Sequence, residues 1–288
     1  MDSAATPALA PAGPEARPAS RPKLIVSDLD GTFLSPDGTV SPRNAAAVAA
    51  AGEAGIPVIF ATGRPIRLLE PIEALRRSHT TVIASNGAMT YDAGNRTVLA
   101  ASTIPNAAAE RAFSRLRSEI DGVAFAVDTG FRAGYEPAYL SYHGSFFNVR
   151  DDPERYVGEV DELIADGDFV KLLVLHGDRD VDELTADVRA VVGSALTATH
   201  SSPDRALVEV AAAGVSKAAT LARVCAELGV GADEVAAFGD MPNDLEMLRW
   251  VGMPHVMEHA HRDLLQIGAR VVGSNADSAV GATIESWL

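Results

Sequence analysis

Lys23-Leu24-Ile25-Val26-Ser27-Asp28-Leu29-Asp30-Gly31-Thr32 opens with a short apolar run and stops abruptly at a carboxylate, with a second carboxylate two residues on. Such a run is a buried strand, and its acidic end is a functional tip. Loop residues follow through Ser41, which caps a helix that begins with proline at its first position; the alanine-rich run then stops at Gly55, so a helix is predicted over 42–54. Ile56 to Ala61 reads as a second buried strand, ending in Thr62-Gly63-Arg64. Thr81 to Ala84 reads as a third, ending in Ser85-Asn86-Gly87. Strand, helix, strand alternation of this kind implies a parallel sheet with right-handed crossovers.

The same grammar returns late in the chain. Ser216 can cap a helix over 217–228, whose apolar positions Leu221, Val224, Cys225 and Leu228 share one face before Gly229. Val235 to Phe238 is then a strand ending in Gly239-Asp240, followed by a helix from about Asn243 to Val251 and a last strand at Arg270 to Val272. Between about 88 and 210 the rhythm changes. Short β-rich pieces at 98–104, 123–127, 169–176, 196–200 and 206–210 alternate with helices near 106–120, 153–166 and 180–192. The expected organisation is an α/β core from 22–87 and 211–288, an inserted α+β cap at 88–210, and a disordered Ala/Pro-rich tail over 1–21.

Composition narrows the function. A chain of 288 residues with 47% hydrophobic and 22% charged residues is globular, and no apolar run approaches the roughly 18 to 20 residues that a bilayer demands. The net charge of -15 repels a polyphosphate backbone, so neither nucleic acid nor membrane is an expected partner. Much of that charge lies in the insert: residues 150–189 hold 13 acidic and 5 basic residues, read as solvated faces. A single cysteine, Cys225, permits no intramolecular disulfide, which fits a cytoplasmic address; it lies on an apolar helix face and reads as core.

Four polar clusters remain at strand ends or a helix start: Asp28-Leu29-Asp30-Gly31-Thr32, Thr62-Gly63-Arg64, Ser216-Lys217, and Gly239-Asp240-Met241-Pro242-Asn243-Asp244. An open parallel sheet gathers such positions into one crevice. Asp28, Asp30 and Asp240 brought together there would repel one another unless a divalent cation neutralised them, and all-oxygen ligands favour Mg²⁺. A carboxylate such as Asp28 can attack phosphorus while Asp30 protonates the leaving oxygen and later activates water. Thr62 and Lys217 can bind the nonbridging oxygens, Lys217 at a helix N-terminus that favours anions. Only three lysines occur, Lys23, Lys171 and Lys217, which sets Lys217 apart from surface decoration.

In order and spacing, these clusters resemble the four motifs of the haloacid dehalogenase-like superfamily, specifically its Cof-type phosphatases. The likeness extends over Gly214-Val215-Ser216-Lys217 and onward from Asp240 through Leu248. The cap of that subfamily sits between the second and third motifs, and here residues 63–216 separate Thr62 from Lys217. The resemblance implies a Rossmann-like core, Mg²⁺, an aspartyl-phosphate on Asp28, acid/base work by Asp30, and phosphate-monoester substrates, often sugar phosphates. It implies also that Asp244 supports the metal shell or Lys217 and that Asn243 lies beside metal or phosphate. Gly63, Arg64 and Asn86 join Thr62, Lys217 and Asn243 as expected substrate-side residues; Arg64 could equally pair within the core, and Asn86 could be a hinge turn. Val256-Met257-Glu258-His259-Ala260 departs from the family's usual Ala-Met-Gly-Asn-Ala, and Ala218 replaces a usual glycine. His255, His259 and His261 with Glu258 lack the His-Glu-x-x-His spacing, so no second metal is expected from that segment. Tyr135, Tyr139, Tyr142, His143, Phe146 and Phe147 read as cap core, one or two facing the leaving group.

The expected function is a phosphatase for a small phosphorylated metabolite. A phosphomutase is the alternative enzyme, and a catalytically idle sugar-phosphate sensor the alternative from another class. Retention of Asp28, Asp30, Lys217 and Asp240 together argues against a sensor, which needs neither nucleophile nor acid.

Overall fold

The structure, a computed structural model of the chain, describes residues 21–75, 81–142, 155–165, 167 and 169–288. The expected tail over 1–20 and the aromatic positions His143, Phe146 and Phe147 lie outside the described residues.

Alternation within each buried strand builds a two-faced sheet. In β1 (Leu24–Ser27), Leu24 and Val26 face one apolar cluster and Ile25 the other. In β2 (Val58–Ala61), Val58 and Phe60 oppose Ile59 and Ala61 in the same way. Both faces therefore need helices, as a parallel sheet requires. One face takes α1 (Pro42–Glu53), whose Ala47, Val48 and Ala51 are buried. Ser41 Oγ accepts from Asn44 N (3.1 Å), the cap read from the sequence.

Eight strands form this sheet: β1, β2, β3 (Thr81–Ala84), the antiparallel β4 (Met89–Asp92) and β5 (Thr97–Ala101), then β12 (Val235–Gly239), β13 (Met253–Met257) and β14 (Arg270–Val272). Their spatial order is β14-β13-β12-β1-β2-β3-β4-β5. β12 thus lies parallel beside β1, with Ser27 opposite Phe238, although more than two hundred residues separate them in sequence. The expected boundary at 87/88 is corrected here, because β4 and β5 pair onto the core sheet and do not belong to a second one. The sequence alone does not reveal β13, because Pro254 and His255 break the apolar run; Pro254 lies opposite Ala237 of β12 but precedes the ladder to β14, which begins at His255.

A second, six-stranded sheet lies between these segments. It comprises β6 (Ala124–Asp128), β7 (Ala133–Tyr135), β8 (Arg155–Val157), β9 (Lys171–Leu175), β10 (Leu196–Thr199) and β11 (Leu207–Ala212), in the order β10-β11-β9-β6-β7-β8. One face is covered by α2 (Asn106–Glu119), α4 (Val160–Ala165) and α5 (Val181–Val192), into which Phe125, Leu172, Val174, Val208 and Val210 pack. A short α3 (Pro137–Ser141) packs against the other face, which carries Ala124, Ala126 and Tyr135. The helix expected over 153–166 is corrected in its first part, since Arg155–Val157 pairs parallel with β7 and the helix spans only Val160–Ala165. The alternation Arg-Tyr-Val is too short to distinguish the two periods.

The remaining helices are α6 (Lys217–Leu228), α7 (Leu245–Trp250), α8 (Arg262–Leu265) and α9 (Ala279–Glu285). Ser216 Oγ accepts from Ala219 N (3.2 Å), and Gly229 closes α6 in the left-handed conformation. The turn after β3 runs Ser85, Asn86, Gly87 at φ values of 50°, 55° and 100°, three left-handed residues in succession. It is held because it lies against the start of α6: a Cβ at residue 87 would sit 2.3 Å from Ser216 O. Gly87→Ala should therefore destabilise the fold by roughly 1–3 kcal/mol or more, read as a lower urea midpoint. An unchanged midpoint would mean the turn and α6 can separate freely.

Candidate active site

The four clusters converge at the C-terminal ends of β1, β2 and β12 and the N-terminus of α6, where the topology of an open parallel sheet leaves a crevice. At its floor Lys217 is completely buried, and its Nζ donates to Asp28 Oδ1 (2.6 Å) and Asp244 Oδ1 (2.7 Å). Asp244 Oδ2 accepts from the main-chain N–H groups of Asp240 (3.1 Å) and Met241 (3.2 Å), which fixes the loop after β12. Thr32 Oγ donates to Asp240 Oδ1 (2.8 Å). Gly31 permits this approach, since a Cβ there would lie 2.2 Å from Asp240 Oδ2.

Asp28, Asp240 and Asp244 offer carboxylate oxygens that all lie within 4.8 Å of one another. This set differs from the expected Asp28, Asp30 and Asp240. Asp30 leaves the floor and forms a forked pair with Arg64, Nε to Oδ2 at 2.8 Å and the terminal nitrogen to Oδ1 at 2.6 Å, with nearly half of its side chain exposed. Arg64 also donates to Leu68 O (3.1 Å), so it lies at the rim and is oriented from two sides. The guanidinium fork explains the capture: it matches a carboxylate in plane with two parallel bonds.

Three carboxylates against one ammonium leave a surplus of negative charge in a dry place. Burial pushes Asp28 well above the usual carboxylate range, with Asp244, Asp240 and Asp30 adding to it and Lys217 opposing. Asp240 is pushed up to about 7 by burial and by the Asp244 carboxylate, against the Thr32 hydrogen bond. Burial pulls Lys217 down, but Asp244 and Asp28 more than offset this and keep it protonated. The oxygen-only donor set and the surplus charge fit a hard divalent cation. Asn243 Oδ1, buried with no hydrogen-bond partner among the described residues, adds a neutral oxygen nearby.

The other expected residues form the wall. Thr62 is buried, and its Oγ accepts from Arg64 N (3.0 Å). Asn86 Oδ1 accepts from Asn243 Nδ2 (3.0 Å), while Asn86 Nδ2 donates to Glu209 Oε2, so Asn86 joins two catalytic-side loops to the second sheet. Gly63 contributes its carbonyl, which accepts from Lys171 Nζ at 2.5 Å; Lys171 also pairs with Glu209 Oε2 at 3.0 Å. Ser201 Oγ donates to Glu209 Oε1 (2.8 Å), and Arg67 pairs with Asp128 (2.6 Å). Lys171, Glu209, Ser201 and Asp128 were not among the sequence candidates. Their signal was a charge inside an apolar strand: Lys171 precedes Leu-Leu-Val-Leu, and Glu209 interrupts Leu-Val-Glu-Val. Of the segment that departs from the family pattern, Glu258 is exposed, His259 Nε2 lies 2.8 Å from Gly31 O, and His255 stacks on Phe238.

A carboxylate and lysine cluster at the strand ends of a doubly covered parallel sheet, roofed by an inserted second sheet, defines an enzyme with a Rossmann-like α/β core and an inserted cap. The family model for haloacid dehalogenase-like hydrolases matches residues 25–284, and the chain belongs to that family. It is 26% identical over 267 residues to the 5-amino-6-(5-phospho-D-ribitylamino)uracil phosphatase YcsE of Bacillus subtilis, covering 92% of this chain and 96% of that protein. It is 28% identical over 273 residues to the pyridoxal phosphate phosphatase YbhA of Escherichia coli, covering 92% and 98%. Among solved structures, a haloacid dehalogenase-like hydrolase from B. subtilis superposes with a TM-score of 0.77 at 26% identity, over 92% of this chain and all of that one.

A cation-dependent stability follows from the shifted carboxylates. Without a cation, folded Asp240 keeps a proton up to about pH 7, whereas an unfolded carboxylate loses it near 3.8, so the folded state loses stability as pH rises through that window. Asp28 acts in the same direction. The rise in thermal midpoint on adding a divalent cation should thus be larger at about pH 8 than at about pH 5, as differential scanning fluorimetry would read. Equal rises would remove these carboxylates as the cation's ligands.

Proposed function

We propose that this chain is a Mg²⁺-dependent phosphatase that hydrolyses small phosphate monoesters through an aspartyl-phosphate on Asp28. The observation that carries this reading is the shared ammonium of Lys217, held between Asp28 and Asp244 beside Asp240. Asp28, Asp240 and Asp244 are the residues that would hold Mg²⁺, whose positive charge would offset the phosphoryl oxygens and keep the carboxylates ionised.

The chain's own groups do the rest. Lys217 and the Thr62 hydroxyl hold nonbridging oxygens, and Lys217 keeps one Asp28 oxygen fixed so that the other faces phosphorus. Asp28 forms the new bond to phosphorus as the ester oxygen departs with a proton from Asp30. Asp30 then takes a proton from the incoming water, which breaks the aspartyl-phosphate bond and releases inorganic phosphate. To do so Asp30 releases at least one hydrogen bond of its Arg64 fork, which holds the acid between turnovers. The second sheet covers the site and keeps bulk water from the acyl-phosphate.

The two named relatives act on phosphorylated metabolites whose organic parts are heterocyclic. Together with the net negative charge, this favours small metabolite esters, sugar phosphates among them, over phosphoproteins or nucleic acids. A cytoplasmic location belongs to the same reading.

Asp28→Asn should lower phosphate release by more than about a thousandfold, and chelation should abolish it until Mg²⁺ is restored. Lys217→Met should cost on the order of a hundredfold or more in kcat. With p-nitrophenyl phosphate, whose leaving group needs no acid, Asp30→Asn should accumulate one phosphoryl group, which intact-mass and peptide mapping after acid quench would place on Asp28. A phosphoryl group on another residue, or full activity of Asp28→Asn, would overturn the mechanism.

A further inference from the structure

Away from the catalytic floor, one other group of three metal-ligating side chains converges among the described residues: Asp182, His200 and His261. They come from different parts of the fold. Asp182 is in the first turn of α5 and His200 follows β10, both on the inserted sheet, whereas His261 caps α8 on the core. His200 Nε2 is 3.0 Å from Asp182 Oδ1, and His261 Nε2 is 3.3 Å from Asp182 Oδ2. His200 is 2% exposed, and its other nitrogen, Nδ1, is buried with no hydrogen-bond partner among the described residues.

We infer that Asp182, His200 and His261 form a binding site for one first-row divalent cation, with Zn²⁺ the best chemical match, that ties the inserted sheet to the core. Two imidazoles and one carboxylate are a donor set for zinc, whereas the oxygen-only floor suits Mg²⁺. In a tetrahedral zinc site with bonds of about 2.0–2.1 Å, ligand atoms stand roughly 3.3–3.4 Å apart. The His200 Nε2–Asp182 Oδ1 separation lies slightly inside that edge length, and one ligand atom from each of the three residues lies within 4.8 Å of the others, so side-chain rotation would bring all three onto one ion. Burial lowers the proton affinity of His200, which leaves it neutral and able to present a lone pair.

The surrounding groups are compatible. Arg262 donates to Asp182 Oδ2 (2.7 Å) but is largely exposed, so Asp182 can give Oδ1 to the ion and keep Oδ2 on the guanidinium. His261 Nδ1 accepts only a long bond from Asp263 N (3.3 Å), and Asp263 Oδ2 stands 3.9 Å away. With Nε2 on a metal, the Nδ1 proton can turn to that carboxylate, the outer partner that ligating histidines commonly have. Without a cation, the ring nitrogens donate protons to Asp182 instead, so protons and metal compete for the same atoms. The main-chain N–H of His261 also donates to Asp240 O (2.8 Å), which connects this site directly to the catalytic loop.

The test uses the full chain, stripped of metal and then given excess Mg²⁺ to occupy the oxygen-only floor. Co²⁺ should produce the intense visible band of a four-coordinate ion, and one equivalent of Zn²⁺ should remove it. Competition with a chromophoric chelator should show that His261→Gln weakens Zn²⁺ by more than the roughly 10–100-fold that loss of an outer partner costs. His200→Gln should do the same, and circular dichroism checks that both fold; His261 is at the edge of the core, so its variant is the safer of the two. Asp240→Asn should keep the Co²⁺ band, which separates this site from the catalytic floor. Absence of a four-coordinate band in the wild type would overturn the proposal, as would undiminished Zn²⁺ affinity in folded His261→Gln. A band that survives both histidine changes and disappears in Asp240→Asn would assign the ion to the floor.

Discussion

Lys217 places one positive charge where three carboxylates converge, and the architecture of the core is arranged around that fact. Its Nζ joins Asp28, at the end of β1, to Asp244, in the loop after β12. The ammonium is what makes the converging carboxylates tolerable, because removing it would leave Asp28 and Asp244 buried with no cation between them. The pairing of β1 with β12 and the capping of α6 by Ser216 are therefore what make the cluster possible. The same constraint reaches the glycines: Gly31 leaves room for the Asp240 carboxylate, and Gly87 lets the turn after β3 lie against the first residues of α6.

The inserted sheet meets this core through polar groups where its helix-covered face is apolar. Lys171, Glu209 and Asp128 project from β9, β11 and β6 and meet Gly63 O, Asn86 and Arg67 of the core. These polar contacts act beside the apolar contact of Val170, which is buried in the core cluster, to position the roof over the floor. Lys171 and Glu209 neutralise each other, so the roof closes over an acidic floor without adding to its charge. Gly63 lies close beneath the roof, with Asn86, Glu209 and Ser201 all near where its Cβ would stand.

Residues far apart in sequence converge twice by the same logic. At the floor, the convergence joins core loops to one another; at Asp182, His200 and His261, it joins the inserted sheet to the core. Protons or a cation can occupy the second group, whereas the first needs charge compensation in any state.

The sequence by itself determined β1, β2, β3, β12 and β14, the two helix caps and the four polar clusters, because each is a local pattern: an apolar run with an abrupt polar end, or Ser before a helical period. It also determined that Asp28, Thr62, Lys217 and Asp240 share a crevice, since parallel strands of one sheet bring their C-terminal ends together. Other features had no local signature. Residues 98–104 read as β-rich in either domain, and only the pairing of β5 with β4 and of β4 with β3 assigns that segment to the core sheet. Asp30 and Asp244 are both acids near a strand end; the capture of one by Arg64 and the burial of the other on Lys217 depend on side-chain directions after a turn. His261, unpromising beside His255 and His259 in the linear segment, meets Asp182 and His200 because α8 and α5 come from opposite sides of the junction between the sheets. Long-range pairing chose those partners, and pairing energy between distant segments leaves no periodicity for a single sequence to display.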